Sequence, residues 1–254
     1  MTTYATYPSL ADRTVFITGG ATGIGASLVE HFVAQGSRVG FVDIDDDAGR
    51  ALERKLADAR HPPLYAHCDL TDITQIDAAL AGVRDRFGPI GVLVNNAAND
   101  QRHSIESVTS GFWDDRIAVN LKHQFFAAQK VIDDMKGLGG GSIINFGSIS
   151  WMLKQGGMPV YTTAKSAVQG LTRSLARDLG PFHIRVNCVV PGWVMTERQV
   201  ALWLNDQGKE DIRRGQCIQQ SLLPADLARM VLFLAADDSA MCTAQNFIVD
   251  GGWA

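Results

Sequence analysis

Tyr161 and Lys165 stand four residues apart in Tyr161-Thr162-Thr163-Ala164-Lys165, a spacing that sets both side chains on one face of a helix. A tyrosine has a reference pKa of about 10, so using it as a base near pH 7 requires about 4 kcal/mol of preferential stabilisation of the phenolate. An ammonium at about 4 Å supplies from about 1 to about 4 kcal/mol, depending on how far the pair is shielded from water. The lysine alone falls short over most of that range, so a second positive charge or a hydroxyl donor has to contribute. Ser148, just after the apolar run 142–146, is the candidate donor. A surface tyrosine beside a solvated lysine is the bland alternative, and only position in a fold decides against it.

Apolar, β-branched runs recur at 15–18, 39–43, 64–68, 92–95, 142–146, 185–190 and 247–249, with helical patterning between most of them. Strands alternating with helices give parallel strands joined by right-handed crossovers, with helices on both faces of one sheet. The early runs are continuously apolar, as a sheet covered on both faces requires. The expected fold class is α/β, a single-domain doubly wound parallel sheet of Rossmann type over 1–254, since no linker, repeat or composition shift divides the chain. Such a sheet delivers Ser148 to its carboxyl edge, where the helix opening near Tyr161 also starts. Asn120, inside a helical run expected over 112–134, joins them as a fourth catalytic candidate; a local hydrogen bond within the helix is its bland alternative. The polar, interrupted stretch 197–223 reads as a loop, with a substrate lid expected within 193–223 and an ordinary surface connection as the alternative.

The run 15–17 leads into Thr18-Gly19-Gly20-Ala21-Thr22-Gly23-Ile24-Gly25 and then a helical stretch over 26–35. Glycines there permit a tight turn and let the backbone approach a pyrophosphate, with the helix N-terminus facing the negative charge. The acid that ends the next strand, Asp43, can accept hydrogen bonds from adenosine ribose hydroxyls and would repel a 2′-phosphate. NAD is therefore the expected cofactor, with NADP as the alternative. The following Asp45, Asp46 and Asp47 are expected to cap a helix. Asp69 and Asn96 follow the third and fourth strands, at the edge where ligands of such sheets bind.

A net charge of -4 leaves no basic footprint, so nucleic acid is not an expected partner. No apolar run reaches membrane-spanning length, and the first ten residues lack a basic start followed by an apolar stretch. No membrane contact and a cytoplasmic location are expected. Cys68, Cys188, Cys217 and Cys242 lie far apart and read as buried free thiols. The six histidines are scattered, read as hydrogen-bonded or surface residues, and give no metal site.

Taken together, Thr18-Gly19-x-x-x-Gly23-x-Gly25, Asp69, Asn95-Asn96-Ala97, Asn120, Ser148, Tyr161-x-x-x-Lys165, Pro191-Gly192 and Val249-Asp250-Gly251-Gly252 resemble the short-chain dehydrogenase/reductase family over nearly the whole chain. The resemblance implies that Tyr161 is the acid/base and that Ser148 polarises the reacting oxygen. Lys165 would bind the nicotinamide ribose and acidify Tyr161, and Asn120 would order a proton-relay water. It further implies dinucleotide contacts from Gly19, Thr22, Gly23, Ile24, Gly25, Asp43, Ile44, Asp69, Leu70, Asn96, Ala97, Pro191 and Gly192, besides Tyr161 and Lys165. Val194 and Thr196 would touch the nicotinamide end, and the protein would be a homo-oligomer, tetramer or dimer. Ala98 departs from the family's usual glycine and is expected to narrow the floor of the site.

The rim of such a site would draw on 99–103, 151–155 and Trp193, a mixture of aromatic plates and hydrogen-bonding groups suited to a polyhydroxylated ring. The candidate substrate contacts are Asn99, Ser148, Trp151, Gln155, Tyr161 and Trp193. The segments 95–100, 145–151 and 188–192 look like those of bacterial aldose 1-dehydrogenases, such as those acting on D-xylose, L-arabinose and L-fucose. That resemblance implies NAD-dependent oxidation of the C1 hydroxyl of a cyclic pentose, hexose or 6-deoxyhexose to the lactone. One alternative is a reductase of 3-oxoacyl or small ketone substrates using NAD(P). Another is a catalytically silent dinucleotide-binding regulatory subunit.

Overall fold

Each apolar run becomes a strand in the computed structural model, which describes residues 4–254. Residues 1–3, part of the segment read for a leader, lie outside the described residues. The strands are β1 (Thr14–Thr18), β2 (Arg38–Asp43), β3 (Leu64–His67), β4 (Val92–Asn95), β5 (Gly141–Phe146), β6 (Ile184–Pro191) and β7 (Asn246–Val249). All pair in parallel, in the order β3-β2-β1-β4-β5-β6-β7. The helices are α1 (Gly23–Ala34), α2 (Asp46–Lys55), α3 (Ile73–Phe87), α4 (Ser110–Ile117), α5 (His123–Gly137), α6 (Pro159–Leu179), α7 (Glu197–Trp203), α8 (Asp206–Gly215) and α9 (Pro224–Ala235). Among the described residues no helix is long and apolar enough to cross a membrane.

The period of two along a strand explains why these runs are apolar throughout. Val15 and Ile17 of β1 pack with Leu28 and Phe32 of α1 and Val231 of α9, while Phe16 packs on the opposite face with Leu80 of α3 and Val131 of α5. Burying a side chain such as Phe16, which is 0% exposed, contributes about 2 kcal/mol. Next to this apolar filling lies a buried polar link. Asn95 Nδ2 donates to Asn145 Oδ1 at 2.9 Å and to the Gln124 carbonyl at 3.2 Å, and Asn145 Nδ2 donates to Thr172 Oγ1 at 3.0 Å. The link fixes β4 and β5 relative to α5 and α6, the elements that carry the acid/base candidates.

Two stretches differ from the sequence reading. The helix expected over 112–134 begins at Ser110 and ends at Gly137, and between α4 and α5 it widens into a π-helical turn at Ala118–Lys122. Asn120 sits in that turn with its side chain bonded back to the Arg116 carbonyl at 2.9 Å, the competition with helix geometry that buried Asn side chains introduce. The stretch 197–223, read as a loop, contains α7 and α8. Thr196 Oγ1 caps α7 by accepting from Gln199 N at 3.2 Å, and Asn205 Oδ1 caps α8 by accepting from Gly208 N at 2.8 Å. Asp45 caps α2, its side chain accepting from Ala48 N at 3.0 Å.

The thiols also divide. Cys68 and Cys188 are buried, but Cys242 is half-buried and Cys217 is exposed between α8 and α9, where its thiol turns to the Gly252 carbonyl at 3.2 Å.

Candidate active site

Strands β2 and β3 lie on one side of β1 and β4 to β7 on the other, so the connections after β1 and β4 leave in opposite directions. They open a crevice at the carboxyl edge, and a cavity of ≈ 1140 Å³ lies there. At one end is the glycine turn. A Cβ on Gly25 would stand 1.8 Å from the Gly19 carbonyl oxygen, so helix and turn meet backbone to backbone. Gly19 itself has φ 64°, and a Cβ there would come within 2.7 Å of Ala97 Cα. Thr22 precedes α1 without a side-chain cap bond, which leaves the first-turn amides to a ligand. A bare cradle with unclaimed donors fits a pyrophosphate.

Neighbouring residues hold the turn in place. Asn96 Nδ2 donates to the carbonyls of Thr18 at 3.1 Å and Gly19 at 2.8 Å. Asp43 Oδ2 accepts from Ala21 N at 3.0 Å, and Oδ1 accepts from Ile44 N at 2.8 Å and Asp45 N at 3.2 Å. These bonds fix the carboxylate on the cavity rim. Every dinucleotide contact named from the sequence lines this cavity: Gly19, Thr22, Gly23, Ile24, Gly25, Asp43, Ile44, Asp69, Leu70, Asn96, Ala97, Tyr161, Lys165, Pro191, Gly192, Val194 and Thr196.

The acid/base candidates meet beyond the turn. Pro159 opens α6, and the Val160 amide donates to His103 Nε2 at 3.2 Å, so the helix carrying Tyr161 and Lys165 is capped by a side chain from the loop after β4. Ser148 Oγ accepts from Ser150 N at 3.2 Å, which leaves its own proton free to donate. Lys165 Nζ donates to the Phe146 carbonyl at 2.8 Å and lies 5.8 Å from the centre of the Tyr161 ring. Burial pushes the Tyr161 phenol up to about 12; a hydrogen bond from Ser148 and the Arg102 charge pull it down, while Asp100 pushes it up. Burial also lowers Lys165 to about 8, so the ammonium persists at neutral pH. The lysine therefore does not by itself give an acidic phenol. Arg102 already adds a second positive charge on this wall, and a cationic ligand would add to it.

Asn120 is fully buried and lies behind the cavity wall. Its Oδ1 accepts from Asn99 N at 2.9 Å and its Nδ2 donates to the Asn99 carbonyl at 3.1 Å, so it grips the peptide of a rim residue. Asn99, Ser148, Gln155, Tyr161 and Trp193 line the cavity, as does Ala98, whose backbone is outside the left-handed region. Trp151 is not among the lining residues. It ends a short helical turn after Ser148, and its indole nitrogen is buried without a partner.

Trp253 and His123 depart from the sequence reading of the site region. Trp253 lines the cavity and stacks on Trp193, with ring centres 6.4 Å apart and planes at 16°. Its place depends on Asp250, whose carboxylate accepts from the amides of Gly252 and Ala254, each at 2.7 Å. His123 was expected to be hydrogen-bonded or on the surface. It is fully buried, neither ring nitrogen has a well-formed partner, and burial together with the Lys165 charge lowers it to about 3. The histidine pattern carried no signal for this, because a lone His in an amphipathic helix looks alike on either face.

A buried proton carrier on the wall of a dinucleotide crevice has a use where a hydride moves beside it, which sets the chain in the class of nicotinamide-dinucleotide oxidoreductases. A family profile described as enoyl-(acyl carrier protein) reductase matches residues 19–254. The chain belongs to this family, within the short-chain dehydrogenase/reductases. It is 48% identical over 249 residues to D-xylose 1-dehydrogenase of Caulobacter vibrioides (strain NA1000 / CB15N), covering 98% of each chain. It is 46% identical over 247 residues to a probable galactose dehydrogenase of Rhizobium meliloti (strain 1021), covering 97% of this chain and 96% of that one. Among solved structures, a blue fluorescent protein from a metagenomic library in complex with NADPH superposes with a TM-score of 0.89 at 31% identity, covering 97% of this chain and 99% of that one.

Proposed function

We propose that this protein oxidises the C1 hydroxyl of a cyclic aldose to the aldonolactone, with NAD as the hydride acceptor. The reading is carried by one convergence: Ser148 and Tyr161 meet on a cavity that continues outward into the polar and aromatic wall of Asn99, Asp100, Arg102, Gln155 and Trp193. Such a wall suits a ring with hydroxyls around its edge and an apolar face. Relatives whose names specify D-xylose and galactose support the same substrate class.

In this mechanism the Ser148 hydroxyl donates to the C1 oxygen, and Tyr161 takes the C1 hydroxyl proton as hydride leaves C1. The dinucleotide, when bound, supplies the hydride-accepting ring and, in its oxidised form, a positive charge beside the phenol. Lys165 holds its ammonium behind Tyr161, where it would bind the nicotinamide ribose. Asn120, whose side chain is spent on the Asn99 and Arg116 backbone, acts by keeping the Asn99 peptide at the rim rather than by ordering a water in the cavity. Asp43 selects NAD: a 2′-phosphate at about 4 Å from a carboxylate costs about 4 kcal/mol in a partly shielded site, before any new partner is found.

We further read the chain as one domain in which the segment 193–223, with α7 and α8, serves as the lid of the substrate end. Trp113 on α4 and Phe125 on α5, 42% and 41% exposed, favour a homo-oligomer, dimer or tetramer, and the cytoplasm is the location read from the sequence. The test is a panel of pentoses, hexoses and 6-deoxyhexoses with NAD and NADP, set beside 3-oxoacyl thioesters with the reduced cofactors, followed by nicotinamide absorbance. Turnover of free aldoses with NAD is expected. Silence with every sugar and turnover of the thioesters would move the protein to the acyl reductases.

A further inference from the structure

Helix α7 has seven residues, none of them buried. A helix that short has no stability of its own, so side-chain clasps must hold it in place. Three of them start from the loop after β4. Gln199 Nε2 donates to Asp100 Oδ2 at 2.7 Å, and the Arg198 guanidinium lies 3.5 Å from Asp100 Oδ1. Both carboxylate oxygens thus face α7, and the Asp100 side chain is only 18% exposed. Two residues on, the Arg102 guanidinium covers the Trp203 ring at 5.1 Å and donates to Met158 Sδ at 2.8 Å. Asp100, Arg102, Arg198 and Gln199 all line the cavity that holds Tyr161.

We propose that Asp100 is a positioning residue for the reaction: by clasping Arg198 and Gln199 it holds α7 over the cavity, and the same clasp sets the charge that faces the Tyr161 hydroxyl. A bare carboxylate near a phenol opposes its ionisation, and a guanidinium on that carboxylate cancels the opposition. Asp100 is among the groups that hold the Tyr161 proton on. The other charged or titratable groups around this wall are Lys165 on α6, Arg102 and His103 on the loop after β4, Asp115 and Arg116 on α4, Glu197 and Arg198 on α7, and Asp211 and Arg214 on α8. Of these, Arg198 is the one that approaches the carboxylate from the lid side. With α7 in place the anion is matched; with α7 lifted it is bare, and proton abstraction becomes harder until the cavity closes.

This inference rests on Tyr161 as the base, and its test separates the two ideas. Asp100→Asn, Arg198→Gln and the double variant are compared by the pH profile of kcat/KM for the aldose and by hydrogen exchange of the amides 197–203. Arg198→Gln should move the acid limb to higher pH and Asp100→Asn to lower pH, while Arg198→Gln added to Asp100→Asn moves it no further. Both single variants should raise KM more than they lower kcat and speed α7 exchange: Asp100→Asn about tenfold, through the weakened charged hydrogen bond from Gln199, and Arg198→Gln about two- to fivefold, the value of an ion pair whose guanidinium is 57% exposed. Gln199→Leu removes only the neutral bond; it should speed exchange and leave the limb in place. Exchange needs no substrate, so it reads the clasp even if no sugar is turned over. Unchanged exchange in Asp100→Asn, or limbs that move in the same direction or additively, would overturn the proposal.

Discussion

The Lys165 ammonium is tied to the Phe146 carbonyl at 2.8 Å, across the gap between α6 and the end of β5. One bond therefore locks the catalytic helix to the strand that delivers Ser148. It also holds the charge close to the Tyr161 ring without spending it on the phenol, whose proton stays on up to about pH 12 in the free protein.

Removing the phenol hydroxyl should accordingly stop chemistry and spare binding. Tyr161→Phe is expected to lower kcat by about 10²- to 10⁴-fold, the range for a lost general base, with the dinucleotide Kd nearly unchanged. Stopped-flow turnover and fluorescence titration with reduced cofactor measure the two quantities. Equal kcat in variant and wild type would remove Tyr161 from the mechanism.

His123 gives a stability prediction with a definite sign. The ordinary histidine protonates below pH 6.5 in the unfolded chain, but burial holds it neutral in the fold down to about 3. Between those values the unfolded state binds the extra proton, so stability is full above pH 6.5 and is lost as pH falls toward 3, by on the order of 5 kcal/mol. His123→Gln should flatten the fall of Tm with pH across this window. A slope identical to wild type would show that other groups govern the acid transition.

Cofactor choice should respond to a single carboxylate. Asp43 is held at the cavity rim by three amides, one of them in the glycine turn, and Asp45, Asp46 and Asp47 follow it without a basic residue to receive a 2′-phosphate. Asp43→Ala is expected to raise the NADP-to-NAD ratio of kcat/KM at least about tenfold, mostly through KM for NADP. The ratio measured at fixed sugar concentration decides it.

Much of this architecture is legible in the chain because parallel strands buried on both faces must be continuously apolar, as 15–17 and 92–94 are. The glycine turn is legible because backbone contact at Gly25 tolerates no other residue. Helix α8 escapes the same reading: its sequence is almost wholly polar, and it forms through the Asn205 cap and the pairing of Glu210 with Arg213 and Arg214. Trp151 and Trp253 fail in opposite ways. Proximity to Ser148 suggested a site role for Trp151, yet the turn that Ser148 itself caps buries the indole nitrogen away from the cavity. Trp253 lies far along the chain and reaches the cavity only because Asp250 clamps the tail.

The central claim is that hydride leaves C1 of a sugar ring as Tyr161 takes the neighbouring proton. An aldose deuterated at C1, turned over with NAD and analysed by mass spectrometry, tests it most directly. Label transferred to the reduced cofactor, with a lactone free of deuterium, is the result expected. Unlabelled reduced cofactor with the deuterium still on the sugar product would contradict it.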